Sequence, residues 1–182
     1  VAINLPEALR RDLWQAAAPL REPDYPVRWV PAELIHLTVR FLGEVPGSRL
    51  GALASALRAA TLGVGPFDLA IGTFGVFPNR RRPRVVWVGC EPLPSLELLH
   101  HRVESELAAR GFAPAGRPFR PHLTLGRARR DAPRSAWEGF IDRLDRLPFA
   151  GTVPVTSVDL MESRTGANGP RYTTRNRAPL EA

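Results

Sequence analysis

The chain contains no lysine. All 25 basic residues are arginine, and against 18 acidic residues they leave a net charge of +7. The planar, bidentate guanidinium is therefore the only strongly basic phosphate-binding side chain available. A basic surface of this size points to a polyanionic partner, nucleic acid first, although charge alone equally fits a solvated face. Cysteine occurs once, at Cys90, which excludes an internal disulfide and fits a reducing, cytoplasmic setting. No run approaches the roughly 18 apolar residues that cross a membrane. No charged-then-apolar leader opens the chain, and Val1 falls in what reads as a strand already under way, so a few native residues are expected before it. Glycine-rich phosphate loops of either common spacing are missing. Neither of the histidine motifs below has a carboxylate or cysteine at ligand spacing, so no metal and no cofactor is expected.

What is present suffices for a core, since 44% of the residues are hydrophobic. A length of 182 residues makes one large domain or two small lobes. Residues 1–5 read as a strand, and Pro6 opens a helix that carries Leu9, Leu13 and Trp14 on one stripe to about Ala18. Four prolines in 19–31 make a loop that returns at Trp29-Val30. A strand from Leu34 to Leu42 is broken by Gly43 to Gly47, after which Ser48 is placed to cap a helix carrying Leu50, Leu53 and Leu57. Phe67 to Phe77 and Val85 to Val88 read as strands around a basic turn. A helix over Pro94 to Arg110 stops at Gly111, and Phe119 to Arg127 is the next strand. Asp131 is placed to cap a helix with Trp137, Phe140, Ile141 and Leu144 inward. Val153 to Glu162, a turn over 166–170 and a strand over Arg171 to Arg177 close the chain.

One short pattern occurs twice in this series. His36-Leu37-Thr38-Val39 and His122-Leu123-Thr124-Leu125 both read His-x-Thr-x with apolar alternates. In a strand, alternate residues share a face, so each motif sets an imidazole beside a hydroxyl. After each motif come a helix, a strand opening in Pro-Phe, a turn ending in Pro-Arg and a returning strand. That order predicts an α+β fold of two pseudo-symmetric, duplicated lobes, each an antiparallel sheet with helices on its outer face, with a central cleft between the sheets. Residues 1–182 then form one bilobal domain. In-line opening of a cyclic phosphodiester needs a proton acceptor on one side of phosphorus and a donor on the other. Histidine has the side-chain pKa nearest neutrality, so two imidazoles can share that work. Threonine hydroxyls, backbone amides and an arginine can hold the equatorial oxygens. A single His-x-Thr ordinarily marks a packed histidine. Two copies at equivalent positions, among only four histidines, fit that reading poorly.

His36 to Gly43 and Pro121 to Arg127 resemble the paired motifs of the two-histidine (2H) phosphoesterases, and most closely the RNA 2′,3′-cyclic phosphodiesterases, also called 2′–5′ RNA ligases. The likeness covers nearly the whole chain. It includes Phe74 to Pro78, Arg82 to Gly89 and the C-terminal Ser163-Arg164 and Gly169 to Tyr172. The resemblance implies hydrolysis of a nucleoside or RNA 2′,3′-cyclic phosphate to a 2′-phosphomonoester. It makes His36 the proton donor to the leaving 3′ oxygen and His122 the proton acceptor from water. It sets Thr38 and Thr124 on the phosphate oxygens. Arg127 is a further candidate for phosphate or base contact. The implied partners are RNA with a cyclic end or free cyclic nucleotides, with no membrane. A monomer is expected, because one chain carries both halves of the site.

Two other readings stay open: 2′–5′ RNA end joining at the same site, and a non-catalytic basic RNA-binding module. Arg40 shares the His36 face by alternation, and the Arg80 to Arg84 turn is placed to steer a strand of RNA. Phe41, Phe119 and Trp87 read as core aromatics with stacking as the lesser reading. His100-His101 and Cys90 read as structural.

Overall fold

A computed structural model describes residues 1–166 and 169–182. The expected turn over 166–170 therefore falls in part outside the described residues. Nine strands form one antiparallel sheet of order β7-β4-β5-β6-β3-β1-β8-β9, with β2 also paired to β6. The chain lays them down as β1 (Ala2–Asn4), β2 (Val27–Trp29), β3 (His36–Thr38), β4 (Phe67–Phe77), β5 (Val85–Cys90), β6 (His122–Ala128), β7 (Gly151–Val155), β8 (Ser157–Gly166) and β9 (Gly169–Pro179). Helices α1 (Glu7–Ala16), α2 (Ala18–Arg21), α3 (Leu50–Thr61), α4 (Pro94–Ala108) and α5 (Phe140–Asp145) complete the mixed α+β architecture. The two sets of strands are continuous through β3 and β6. Only Thr156 separates β7 from β8, although they lie far apart in the sheet order, so the sheet must curl to bring them together.

Local departures from the expected elements have local causes. The first helix stops at Ala16 and restarts as α2, because Pro19 has no amide hydrogen to give to the preceding turn. The first motif strand is three residues long. Its partner β1 runs out, and the amides of Val39 and Arg40 both turn to the carbonyl of Val1. Ser48 lies inside a 3₁₀ turn, Gly47–Arg49, and does not cap α3. Asp131 caps no single helix either. A 3₁₀ turn over Arg134–Trp137 is cut from α5 by Gly139, whose φ of 71° is left-handed. The expected strand from Val153 is two strands that pair with different neighbours, β7 with β4 and β8 with β1 and β9.

The core lies between sheet and helices. Leu53, Ala56, Leu57 and Ala60 of α3 pack on Leu96, Leu99, Val103 and Leu107 of α4, and Leu37, Leu123 and Leu125 enter the same core from the motif strands. On β4 and β5, Trp87 lies flat over the opposed Gly75, where an added Cβ would stand 2.2 Å from the indole. Gly75→Ala is therefore expected to displace Trp87 and destabilise the fold by about 1–3 kcal/mol, the usual penalty for overpacking. Gly51→Ala in α3 meets open space and should be neutral or stabilising. Thermal melts of the two variants check the contrast, and equal stability would contradict the packing described.

Candidate active site

The site begins with one backbone pair. Strands β3 and β6 run antiparallel with Leu37 opposite Leu123, and both leucines are fully buried. Extending that register by one residue each way sets His36 opposite Thr124 and Thr38 opposite His122. All four then share the face away from the leucines. Directly opposed residues stand about 4.5–5.5 Å apart at Cβ, and the two histidines are diagonal neighbours at roughly 7–8 Å, so one tetrahedral phosphate can reach both pairs.

This face looks into a cavity of about 1140 Å³ lined by His36, Thr38, Thr124 and Arg127, with the β8–β9 hairpin opposite. His122 lies just outside that lining, on the Thr124 strand face, against Phe77 and Trp87. The two imidazoles are held alike. His36 Nδ1–H donates to the carbonyl of Leu34 at 2.8 Å, and His122 Nδ1–H donates to the carbonyl of Arg120 at 2.6 Å. A carbonyl only accepts, so the proton of each neutral ring sits on Nδ1 and the free lone pair on Nε2. Each ring also meets an aromatic edge to face, His36 against Tyr172 and His122 against Phe77, both with centroids 5.0 Å apart. Burial lowers the His36 pKa below its ordinary 6.5, and the hydrogen bond to the Leu34 carbonyl partly opposes that shift.

Arg127 reaches the cavity through an irregularity. Alternation from Leu123 and Leu125 would aim it into the core. Between Val86 and Trp87 the β5–β6 register shifts, so β6 carries one extra residue there and its alternation inverts. Gly126 permits this, since a Cβ would stand 2.5 Å from Val27 Cγ1 on β2. Arg127 then lies opposite Arg28, and both line the cavity. Arg28, which opens the Arg28-Trp29-Val30-Pro31 segment of the family resemblance, is no site candidate in the sequence, and its pairing with Arg127 places it there. The packing roles of Tyr172 and Phe77, and the Leu34 and Arg120 carbonyls, were likewise unmarked in the sequence.

The remaining candidates are occupied elsewhere or stand at the rim. Arg40 lines the cavity but pairs with Glu104 of α4 at 3.0 Å. Phe119 stacks on His100, and Trp87 packs on Phe77. Phe41 is 78% exposed at the cavity edge. Among the described residues, no group of three or more His, Cys, Asp or Glu is arranged to hold a metal.

Residues 5–167 match the family model of the 2′-5′ RNA ligase superfamily. The chain belongs to this superfamily. It is 33% identical over 173 residues to a Methanothermobacter thermautotrophicus protein named RNA 2′,3′-cyclic phosphodiesterase, covering 95% of this chain and 93% of the relative. A Thermotoga maritima protein of the same name is 30% identical over 172 residues, 94% of this chain and 89% of its own. Among solved structures, TT0787 of Thermus thermophilus superposes with a TM-score of 0.82 at 28% identity, covering 98% of this chain and 95% of that one. E. coli LigT, crystallised with 3′-AMP, gives 0.80 at 30% identity over 100% and 96% of the two chains. The superfamily fold is thus that of the curled antiparallel sheet described above.

The paired hydrogen bonds make a direct spectroscopic expectation. In ¹⁵N-resolved spectra at high pH, both His36 and His122 should show the Nδ1–H tautomer, and His36 should titrate below pH 6.5. An Nε2–H tautomer at either ring would contradict the geometry.

Proposed function

We propose that this chain hydrolyses the 2′,3′-cyclic phosphate of RNA ends or nucleosides to a 2′-phosphomonoester, without a metal, by two-histidine acid–base catalysis. The observation that carries the reading is the pair of imidazoles on one face of the paired strands β3 and β6, each with Nδ1 tied to a carbonyl and Nε2 left for substrate. The printed names of the Methanothermobacter and Thermotoga relatives support the reaction class.

In this mechanism His122 Nε2 takes a proton from water as its oxygen attacks phosphorus. The P–O3′ bond breaks on the far side, and His36 Nε2–H delivers a proton to O3′. Fixed tautomers mean that neither ring has to turn during the transfer. Thr38 and Thr124 hydroxyls donate to the equatorial oxygens, and Arg127 offsets their charge. Burial disfavours the His36 imidazolium in the free protein. The phosphodiester anion works against that burial, so substrate binding itself raises the pKa of the acid.

Several coarser properties follow the same reading. Apart from β2, the sheet order sets four strands on either side of the β3–β6 junction, which supports a duplicated bilobal domain. Both motifs lie on one chain, so a monomer suffices. No helix among the described residues is long and apolar enough to cross a membrane. Cys90 is a lone cysteine with no disulfide, which fits a reduced, cytoplasmic protein.

His36→Ala and His122→Ala should each lower kcat on a 2′,3′-cyclic nucleotide by roughly 10²–10⁴-fold, and Thr124→Ala by a smaller factor, with thermal melts near the parent's. Turnover should persist in excess chelator, and ³¹P spectra should show the 2′-phosphate. Full activity in either histidine variant, or a strict metal requirement, would sink the proposal. Added inorganic phosphate should raise the His36 pKa; an unmoved titration would mean that this ring does not face the anion.

A further inference from the structure

The arginines around the cavity are not neutralised evenly. On the β8–β9 side, Arg164 and Arg175 share Glu162 and Arg177 is paired with the buried Asp159, which leaves Arg171 as the one arginine there without a carboxylate partner among the described residues. On the side where β6 ends and β2 and β5 begin, the balance differs. Arg28, Arg82, Arg84, Arg127, Arg129 and Arg130 are all exposed, and among the described residues none of them has a carboxylate partner.

These six are connected through the backbone. Arg28 lies opposite Arg127 across β2 and β6, and Val85 lies opposite Arg127 on the other side. The carbonyl of Arg84 accepts from the Ala128 amide at 3.0 Å, while the Arg84 guanidinium donates to the Arg130 carbonyl at 3.2 Å. Arg129 is tied by its amide to Pro26 ahead of β2. Arg82 sits in the turn that Asn79 closes by accepting from the amides of Arg81 and Arg82, both at 3.1 Å. Like charges gathered at one end of the sheet repel one another, and no carboxylate among the described residues pairs with any of the six. An external polyanion would.

We propose that this stripe is the path of the RNA strand that precedes the cyclic end. The RNA leaves the cavity past Arg127 and Arg28 and runs over Arg84, Arg129 and Arg130 toward the β4–β5 turn, rather than over the β8–β9 hairpin, where three of the four arginines are held by carboxylates. This rests on the reaction proposed above and adds the path of the strand over this chain's surface, which an oligonucleotide with a cyclic end uses and a free cyclic nucleotide does not. The contacts are to phosphates, so the preference carries no base sequence.

The test compares a free 2′,3′-cyclic nucleotide with a short single-stranded RNA ending in the same cyclic nucleotide. The triple variant Arg84→Gln, Arg129→Gln, Arg130→Gln should lower kcat/KM for the RNA by roughly tenfold or more at low salt and leave the mononucleotide unchanged. Anisotropy titration of the RNA should show the slope of log affinity against log salt falling by about 2, near 0.7 for each phosphate that an arginine no longer neutralises. A control with the same charge change on α1, on α3 and just past α5, Arg11→Gln, Arg58→Gln and Arg146→Gln, should leave both substrates untouched. Equal losses in triple and control would reduce the effect to net charge and overturn the path. An unchanged RNA affinity in the triple would overturn it as well. If the parent protein turns over neither substrate, the reaction fails, and the anisotropy comparison still decides the path.

Discussion

One backbone register holds the site together: Leu37 opposite Leu123. Side chains on a strand alternate, so this pair commits both leucines to the core and both His-Thr couples to the opposite face of the sheet. A slip of one residue would exchange the two sets, burying imidazoles and exposing leucines. The hydrophobic cost of that exchange, about 1.5–3 kcal/mol for each leucine, holds the His-Thr face outward. Core packing and chemistry thus depend on the same few hydrogen bonds, and the rest of the curled sheet carries these two strands.

Rigid orientation comes at the edges of the same strands. A 3₁₀ turn over Ala32–Leu34 aims the Leu34 carbonyl at His36 Nδ1, and the residues before β6 do the same for His122 with Arg120. Tyr172 and Phe77 then close on the rings from opposite halves of the sheet. Gly75 and Gly89 leave room for the Trp87 indole that packs on Phe77. Two glycines therefore reach the chemistry through two aromatic layers, without touching substrate.

The paired motifs were legible in the sequence because their information is local. An alternating His-x-Thr needs only an extended backbone to set both groups on one face, and the leucines between them mark the other face. The α+β class followed from strand and helix periodicities, and the family from the motifs and their flanks. Arg127 shows where local reading stops. By alternation it belongs with Leu123 and Leu125, and only the bulge beside Gly126 turns it outward. That bulge is set by contact with Val27 and Trp29, nearly a hundred positions earlier in the chain. The shortened β3 and the split at Thr156 have the same origin, since strand ends depend on partners rather than on the strand's own residues.

Two imidazoles acting on one phosphorus from opposite sides is the central claim. It is tested most directly by a crystal structure with a nucleoside vanadate, which mimics the five-coordinate phosphorus of in-line displacement. The expected result has His36 Nε2 and His122 Nε2 each within hydrogen-bond distance of a different apical oxygen, with Thr38 and Thr124 on equatorial oxygens. Vanadate bound away from β3 and β6, or both histidines on equatorial oxygens, would contradict it.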